Sequence, residues 1–131
     1  LSAVQADKLA EWHVATTAAD FERILANAPK DQVVVIDVYA DWCVACQPIE
    51  HRVLKDAEVQ QALSHYYLIK LDLSHYDASH QALLNQWDIL GPPTYLFLDS
   101  QQQEIRALRL TGAFKKSELL QQLTQLKEKS P

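Results

Sequence analysis

The strongest pattern along the chain is an apolar run, Val-Val-Val-Ile-Asp-Val-Tyr, that occupies residues 33–39. A nearly continuous β-branched run of this length is typical of a strand that is buried on both faces of a sheet. Residues 67–73 show a different pattern, in which Ile69, Leu71 and Leu73 alternate with other side chains. Alternation with a period of two predicts a second strand, because successive side chains of a strand point to opposite faces.

Three further strands are predicted from shorter patterns. Residues 94–98 and 105–110 are apolar stretches joined by the polar segment 99–103, and together they predict a hairpin. Residues 12–14 predict a short edge strand ahead of the first helix.

The segments between these strands carry helix signals. Thr17 followed by Asp20 resembles a capping box and predicts a helix that ends before Pro29. A second helix is expected to begin at about Cys43, directly after the first buried strand. Asp56 is expected to cap a further helical segment. Two more helices are predicted from their apolar positions, which are Ala82, Leu83 and Trp87 within residues 78–87, and Leu119, Leu120, Leu123 and Leu126 near the end of the chain.

The order of these elements predicts the fold class. Strand–helix–strand alternation implies parallel strands, and the late hairpin adds antiparallel ones. We therefore expect an α/β fold, in which a mixed central sheet carries helices on both faces. A length of 131 residues suits one domain, so residues 1–131 are expected to form a single domain. Residues 1–15 are its N-terminal extension, which holds the short edge strand.

The composition excludes several classes of function. The net charge is −5, so a nucleic-acid footprint is not expected. The longest strictly aliphatic run is Val33 to Ile36, whereas a membrane helix needs about 18 or more apolar residues. This domain is therefore not expected to insert into a membrane. The chain contains no Met and starts at Leu1, which predicts a processed chain or a piece of a longer protein.

The candidate chemistry lies in the only two cysteines, Cys43 and Cys46. Their position matters more than their spacing, because they follow a buried strand and open a helix. Unpaired backbone N–H groups and the helix dipole favour a thiolate at such a helix start. Cys43 is expected to be the accessible thiol and Cys46 the thiol one turn further in. One thiol could then attack a target disulfide and the other could resolve the mixed disulfide.

Other interpretations of the pair stay open at this point. Two cysteines are too few for a disulfide scaffold, but they could be small buried hydrophobic residues. They could also form half of a zinc site, with His51 or the pair His75 and His80 as partners, although the spacing does not fit a zinc finger. Haem attachment is excluded, because Gln47 stands where a His would have to follow the second Cys.

A second signal is the segment Gly91-Pro92-Pro93-Thr94, directly before a predicted strand. In most proteins such a segment is only a turn. Here it follows a helix-opening Cys-x-x-Cys by about 47 residues, which favours a role at the same site. The Pro92–Pro93 bond is expected to be cis and to lie against the cysteines, since X-Pro bonds adopt the cis form at low cost.

These residues together resemble the thioredoxin pattern. Asp37, Trp42-Cys43 with Cys46, Pro93-Thr94 and Gly112 match it in order and spacing across roughly residues 30–128. The segment Tyr39-Ala40-Asp41-Trp42-Cys43-Val44-Ala45-Cys46, with Glu50 beyond it, is similar to the C-terminal domain of the DsbD family of bacterial thiol:disulfide interchange proteins. The resemblance implies a thioredoxin fold and a protein-disulfide reductase.

The resemblance also implies where the electrons go. The chain would be a monomeric periplasmic domain of an inner-membrane protein, and would take electrons from a membrane-embedded domain of the same parent. It would pass them through transient mixed disulfides to the parent's N-terminal periplasmic domain, for disulfide isomerisation and cytochrome c maturation. No metal or organic cofactor is implied, because the Cys43–Cys46 dithiol would be the redox centre.

The resemblance assigns roles to several neighbours of the cysteines. Asp37 would act as a proton donor or acceptor beneath the disulfide, and Glu50 would lie near the cysteines. Glu50 is four residues after Cys46, so the two are expected to share a helix face. The binding residues would be Trp42, Pro92, Pro93 and Thr94. Each carboxylate also has a plainer interpretation, since Asp37 could be structural and Glu50 a solvated helix residue.

Some residues depart from the thioredoxin pattern. Val44-Ala45 replaces the usual Gly-Pro between the cysteines, and Pro92 replaces a branched or large aliphatic residue. Pro48 lies inside the expected helix, where it is expected to kink or loosen it. Two rival functions remain, a stand-alone periplasmic thioredoxin-like reductase and a non-enzymatic binding module, for which zinc binding is one option.

Overall fold

A five-stranded mixed sheet organises residues 10–129, the part of the chain that the computed structural model describes. The spatial order of the strands is β1-β3-β2-β4-β5, with β1 and β2 parallel to β3, and β4 antiparallel to both β2 and β5. The strands in chain order are β1 (Trp12–Ala15), β2 (Val34–Tyr39), β3 (Tyr67–Asp72), β4 (Thr94–Leu98) and β5 (Leu110–Thr111).

Helices cover both faces of the sheet, which confirms the predicted thioredoxin-like α/β architecture. They are α1 (Ala18–Ala26), α2 (Cys46–Pro48) with a π-helical turn (Ile49–Val53), α3 (Ala57–Leu63), α4 (Ala78–Gln86), a 3₁₀ turn (Arg106–Leu108) and α5 (Lys116–Lys129). Two buried clusters result, one on each face. The first cluster packs α1 and α4 against the sheet, and the second packs the π turn, α3 and α5.

The predicted helix starts follow from side-chain caps. The Thr17 hydroxyl accepts a hydrogen bond from the Asp20 N–H and begins α1. The Asp56 carboxylate accepts from the Glu58 and Val59 N–H groups and begins α3. A capped helix start satisfies backbone donors that would otherwise lack partners. The edge strand expected at 12–14 is β1, while residues 1–9 of the N-terminal extension lie outside the described residues.

The strand predicted over residues 105–110 is wrong for most of its length. Leu110–Thr111 pairs regularly with β4 and Glu104 makes an isolated bridge to Leu98, but Arg106–Leu108 forms a 3₁₀ turn instead. The segment contains one β-branched residue, Ile105, among Arg, Ala and Leu, which favour helical backbone. The turn lets the Leu108 side chain enter the second cluster, and the Gln122 side chain donates to the Leu108 carbonyl.

Candidate active site: a disulfide between an apolar rim and a buried polar cluster

A disulfide joins Cys43 and Cys46 just beyond the end of β2, with 5.3 Å between their Cα atoms. The backbone turns sharply here, because the Cys43 N–H donates to the Ala40 carbonyl at 3.2 Å and the Cys46 N–H donates to the Cys43 carbonyl at 3.1 Å. Cys43 retains 7% of its surface and Cys46 only 2%. Cys43 is therefore the more accessible residue of the pair, although both are largely covered in the disulfide form.

Regular helix begins at Cys46, three residues later than the predicted start at Cys43. The physical reason is Pro48, which has no N–H to donate to the Val44 carbonyl. The turn is closed by shorter bonds instead, including one from the Gln47 N–H to the Val44 carbonyl at 3.2 Å. Directly after Pro48 the helix widens into the π turn Ile49–Val53, so the expected loosening is observed.

The Pro92–Pro93 peptide bond is cis, as predicted. The segment is held at its far end by the Gly112 N–H, which donates to the Pro93 carbonyl at 2.9 Å. Gly112 has a φ of 84°, a conformation that favours glycine over residues with a Cβ. The Thr94 side chain is buried and its hydroxyl donates to the Gly91 carbonyl at 2.6 Å. Thr94 therefore stabilises this segment from within.

An apolar rim extends from Trp42, the residue directly before Cys43. The Trp42 side chain is 54% exposed and shares a pocket of about 210 Å³ with Pro92, Leu90 and Tyr76. Leu90 is 95% exposed, which is unusual for a large aliphatic side chain beside a redox centre. The Trp42 indole is anchored, since its Nε1–H donates to the Ser74 carbonyl at 3.2 Å. The rim therefore presents apolar surface, with an anchored indole, to a molecule that approaches Cys43.

A buried polar cluster lies around Asp37. It is on the opposite face of β2 from Ile36 and Val38, which pack with the cysteines in the first cluster. Asp37 is 2% exposed and lies in register with Lys70 of β3 on one side and Tyr95 of β4 on the other. Asp37 Oδ2 and the Tyr95 hydroxyl both lack a hydrogen-bond partner among residues 10–129. Unpaired buried polar atoms are rare in folded proteins and often occur at functional sites.

Glu50 completes this cluster from the π turn. Its carboxylate forms an ion pair with the Lys70 ammonium, and both side chains are largely buried. The Lys70 ammonium also lies 4.9 Å from the centroid of the Tyr39 ring and 5.9 Å from that of Trp12. Such contacts with aromatic faces stabilise a cation that has lost much of its water.

Burial and a neighbouring carboxylate hold the pKa of Asp37 well above its ordinary value. Desolvation is the largest cause, because a low-dielectric environment disfavours the charged form, and the Glu50 carboxylate adds repulsion. Lys70 and the Tyr95 hydroxyl act in the opposite direction. Burial, Asp37 and Glu50 together raise the pKa of Tyr95 well above its ordinary value as well. Asp37 therefore keeps its proton to a higher pH than an exposed aspartate does.

The expectation that Cys46 and Glu50 share a helix face stays a prediction. Cys46 packs in the first cluster, whereas Glu50 pairs with Lys70 on the other face of the sheet. The prediction assumes an α-helix, in which residues four apart lie on one face. The π turn contains more residues per turn, so the side chains point in different directions from those in an α-helix.

Sequence reasoning missed two members of the polar cluster, Lys70 and Tyr95. Lys70 had a signal, because it alternates with Ile69 and Leu71 in a strand of a sheet covered on both faces. A lysine at such a position has to be buried and therefore needs a partner. Tyr95 gave no signal beyond lying in an apolar strand.

Within residues 10–129 no group of three or more His, Cys, Asp or Glu side chains is arranged to hold a metal ion. Two of the candidate zinc ligands are engaged elsewhere. His80 bonds the Asp77 N–H and the Thr16 carbonyl, and His51 contacts the Gln47 side chain. None of the helices in this part of the chain has the length and apolar content needed to cross a bilayer.

Comparison with known proteins gives a consistent result. The chain is 41% identical over 102 residues to the thiol:disulfide interchange protein DsbD of Yersinia pestis, a match that covers 78% of the chain but 17% of the relative's length. It is similar to the structure of the Neisseria meningitidis DsbD C-terminal domain in the reduced form, with a TM-score of 0.70, 29% identity, and coverage of 86% of this chain and 98% of that one.

A thioredoxin from Thermus thermophilus shares the fold, with a TM-score of 0.73 at 23% identity over 92% of this chain and 89% of that one. The model of the thioredoxin family matches residues 12–125. This match includes both cysteines, the cis-proline segment and every strand described above. The chain therefore belongs to the thioredoxin family.

Proposed function

We propose that this chain is a thiol–disulfide oxidoreductase whose redox centre is the Cys43–Cys46 pair. The observation that carries the proposal is the disulfide itself, placed where β2 ends and α2 begins, beside the apolar rim. A disulfide between inert structural cysteines would not need exposed apolar surface next to it. The Trp42 and Leu90 side chains are positioned to receive a protein partner.

In the reducing direction the Cys43 thiolate attacks one sulfur of the target disulfide. A mixed disulfide forms, and the other target sulfur leaves as a thiolate that takes up a proton. The Cys46 thiol loses its proton and attacks the Cys43 sulfur, which releases the second target sulfur as a thiolate that also takes up a proton. The target gains two electrons and two protons, and the Cys43–Cys46 disulfide is formed.

The parent and the route of the electrons are the finer part of the proposal. The likeness to DsbD supports a place as the C-terminal domain of such a protein, in the periplasm. There the domain would accept electrons from a membrane-embedded domain and deliver them to an N-terminal domain, in support of disulfide isomerisation and cytochrome c maturation. The chain spans less than a quarter of the length of the DsbD relatives that it matches, which leaves room for both partner domains.

The carboxyl cluster gives this domain the character of a reductant. Negative charge on Asp37 or Glu50 disfavours a nearby thiolate, and so opposes the helix start, which lowers thiol pKa values. A less stable thiolate makes the dithiol easier to oxidise. The carboxyl groups would also take up or supply the proton of the attacking thiol when a partner excludes water from the rim.

The first experiment measures the reduction potential of the Cys43–Cys46 couple against a thiol–disulfide buffer. A potential near that of thioredoxin, about −270 mV, supports a reductant, while one near about −120 mV identifies an oxidant. Cys46→Ser should trap a mixed disulfide with the partner domain, whereas Cys43→Ser should not. Trapping by the Cys43→Ser variant alone would reverse the assigned roles.

The second experiment follows thiolate absorbance against pH in the reduced chain. Asp37→Asn and Glu50→Gln should each lower the pKa of the Cys43 thiol, and the double variant should lower it most. The matched control is Asp41→Asn, since Asp41 is exposed beside Trp42 and outside the cluster. A Cys43 pKa that stays constant in all three cluster variants would make these carboxyl groups purely structural. The upstream coding sequence separates the two reductase hypotheses, because a stand-alone reductase would lack a polytopic membrane segment there.

A further inference from the structure

We propose that Arg109 is a positioning residue for thiol–disulfide exchange, which fixes the loop of residues 87–93 in the form that receives a protein partner. The inference rests on the proposed function and adds a specificity element to it. The loop carries Leu90 and Pro92, two walls of the pocket that Trp42 shares beside the disulfide. Arg109 does not line that pocket.

Arg109 holds the beginning of the loop through two backbone carbonyls. Its guanidinium donates to the Trp87 carbonyl at 2.9 Å and to the Asp88 carbonyl at 2.6 Å. These carbonyls lie at the C-terminal end of α4, where backbone acceptors have no partner within the helix. Asp88 has a φ of 57°, a strained conformation for a residue with a Cβ. The contacts keep the chain turned as it leaves α4.

The same residue is tied to the end of the loop through the backbone. Arg109 directly precedes β5, in which Thr111 is the register partner of Thr94. The next residue, Gly112, donates its N–H to the Pro93 carbonyl at 2.9 Å. Arg109 therefore connects the first carbonyls of the loop to β5, which pairs with the start of β4 directly after the loop.

Glu104 orients the guanidinium. Its two carboxylate oxygens accept from Arg109 Nε at 2.8 Å and from Nη2 at 2.7 Å. The Arg109 side chain is 8% exposed and that of Glu104 is 15% exposed, so water competes little for these bonds. Only the planar, forked guanidinium can bind a carboxylate and two carbonyls at once in this way. A lysine at the position would keep the charge and lose the geometry.

Arg106 provides a matched control on the same segment. It also reaches Asp88, through an ion pair of 3.0 Å with the carboxylate, but its side chain is 60% exposed and that of Asp88 is 77% exposed. Exposed pairs of this kind contribute little to stability. Loss of Arg106 therefore removes a contact to the Asp88 side chain but leaves the hydrogen bonds from Arg109 to the loop carbonyls in place.

The test compares a protein disulfide with a small one. The reduced 131-residue chain is mixed with insulin or with hydroxyethyl disulfide, and its oxidation is followed by stopped-flow tryptophan fluorescence. We expect Arg109→Lys and Arg109→Gln to lower the second-order rate constant with insulin about tenfold, because small misplacements of binding groups are costly. The rate with hydroxyethyl disulfide, which is too small to need the loop, should change less than about twofold. Glu104→Gln should have an intermediate effect on the insulin rate, and Arg106→Gln none.

Several outcomes would overturn the inference. Equal losses with both disulfides would show that Arg109 only maintains the redox centre or the fold. An unchanged insulin rate in Arg109→Lys and Arg109→Gln would show that the loop does not depend on Arg109. If the Gln variant fails to fold, Arg109→Lys and Glu104→Gln decide between these results. Failure of the unsubstituted chain to react with either disulfide would instead overturn the proposed function.

Discussion

The two faces of β2, the strand that ends just before the disulfide, have different environments. Ile36 and Val38 point into the first cluster, where their neighbours, including both cysteines, are apolar. Asp37 stands between them in the chain and points to the other face, where it meets Glu50 and Lys70. Adjacent residues of one strand therefore lie in a close-packed apolar cluster on one face and in a charged environment on the other.

This difference shows how a small domain can combine rigidity with electrostatic control. The apolar face fixes the turn that holds Cys43 and Cys46, since close-packed side chains resist displacement. The polar face costs stability, because Asp37 is buried and one of its oxygens has no partner. Changes on the apolar face should therefore weaken the fold, and changes on the polar face should alter titration and reactivity.

The largest expected effect comes from the sulfur itself. Cys43→Ser should lower the rate of disulfide reduction by at least about a thousandfold, as loss of a nucleophile does in other enzymes. The measurement is turnover of insulin with dithiothreitol as the electron source. Thermal unfolding of the variant, compared with the reduced native chain, serves as the control for folding. Retained turnover would mean that Cys43 is not the attacking thiol.

Substitutions at adjacent positions of β2 should change stability in opposite directions. Ile36→Ala should lower the free energy of unfolding by about 2–5 kcal/mol, because it leaves a cavity in the first cluster. Asp37→Asn should raise it by roughly 1–3 kcal/mol at neutral pH, because an amide, unlike the carboxyl, does not have to keep in the folded state a proton that the unfolded chain releases. Denaturant unfolding of the oxidised chain measures both. Destabilisation by Asp37→Asn would mean that the carboxyl group is a structural requirement.

The native chain should lose stability as pH rises because of Asp37. The raised pKa means that folded Asp37 keeps its proton at pH values where unfolded Asp37, with an ordinary pKa near 3.8, has lost it. The folded state then binds more protons, so the free energy of unfolding falls as pH rises from about 3.8 to the native pKa. Asp37→Asn should lack this slope. Parallel pH profiles of the two proteins would contradict the assignment.

The ion pair on the polar face gives a smaller effect. Lys70→Gln should destabilise the fold by roughly 1–3 kcal/mol at neutral pH, because it leaves Glu50 largely buried without its cation. It should also raise the pKa of Asp37 further, since Lys70 lowers that pKa in the native chain. Carbon-13 NMR titration of the Asp37 carboxyl group measures the shift, with Lys55→Gln as a control. An Asp37 pKa that falls would disprove the proposed coupling.

The smallest effect is expected from Tyr95→Phe. The Tyr95 hydroxyl lowers the pKa of Asp37, so its removal should raise that pKa slightly. Stability should change by less than about 1 kcal/mol, because the hydroxyl interacts with Asp37 but makes no hydrogen bond of good geometry that would be lost. The same carboxyl titration measures the change. A large loss of stability would reveal that the hydroxyl is satisfied in solution by a group such as an ordered water.

Local signals explain which elements the sequence predicts well. The β-branched run of β2 and the side-chain caps Thr17 and Asp56 act within a few residues. They can therefore be recognised from the sequence alone. The segment after Glu104 was harder, because its conformation depends on the distant partners of Leu108 and Arg109. Leu108 is buried beside α5, and Arg109 donates hydrogen bonds to the Trp87 and Asp88 carbonyls that follow α4. These contacts outweigh the strand pairing with β4 that an apolar stretch suggests.

The candidate site divides in the same way. The cysteines and the cis-proline could be predicted because their spacing is characteristic and their chemistry is distinctive. Lys70 and Tyr95 could not be assigned from spacing alone, since only strand register brings them beside Asp37. The charge on Asp37 depends on all of these neighbours at once, and no local pattern in the sequence encodes it.

The π turn of Ile49–Val53 has a consequence for sequence comparison. Its backbone bond from the Leu54 N–H to the Ile49 carbonyl encloses one residue more than an ordinary helical turn. Alignment with a relative whose helix lacks this turn therefore requires a one-residue gap between Pro48 and Leu54. Without the gap, Glu50 would be compared with a residue that points in another direction, and a shared carboxylate would look like a substitution.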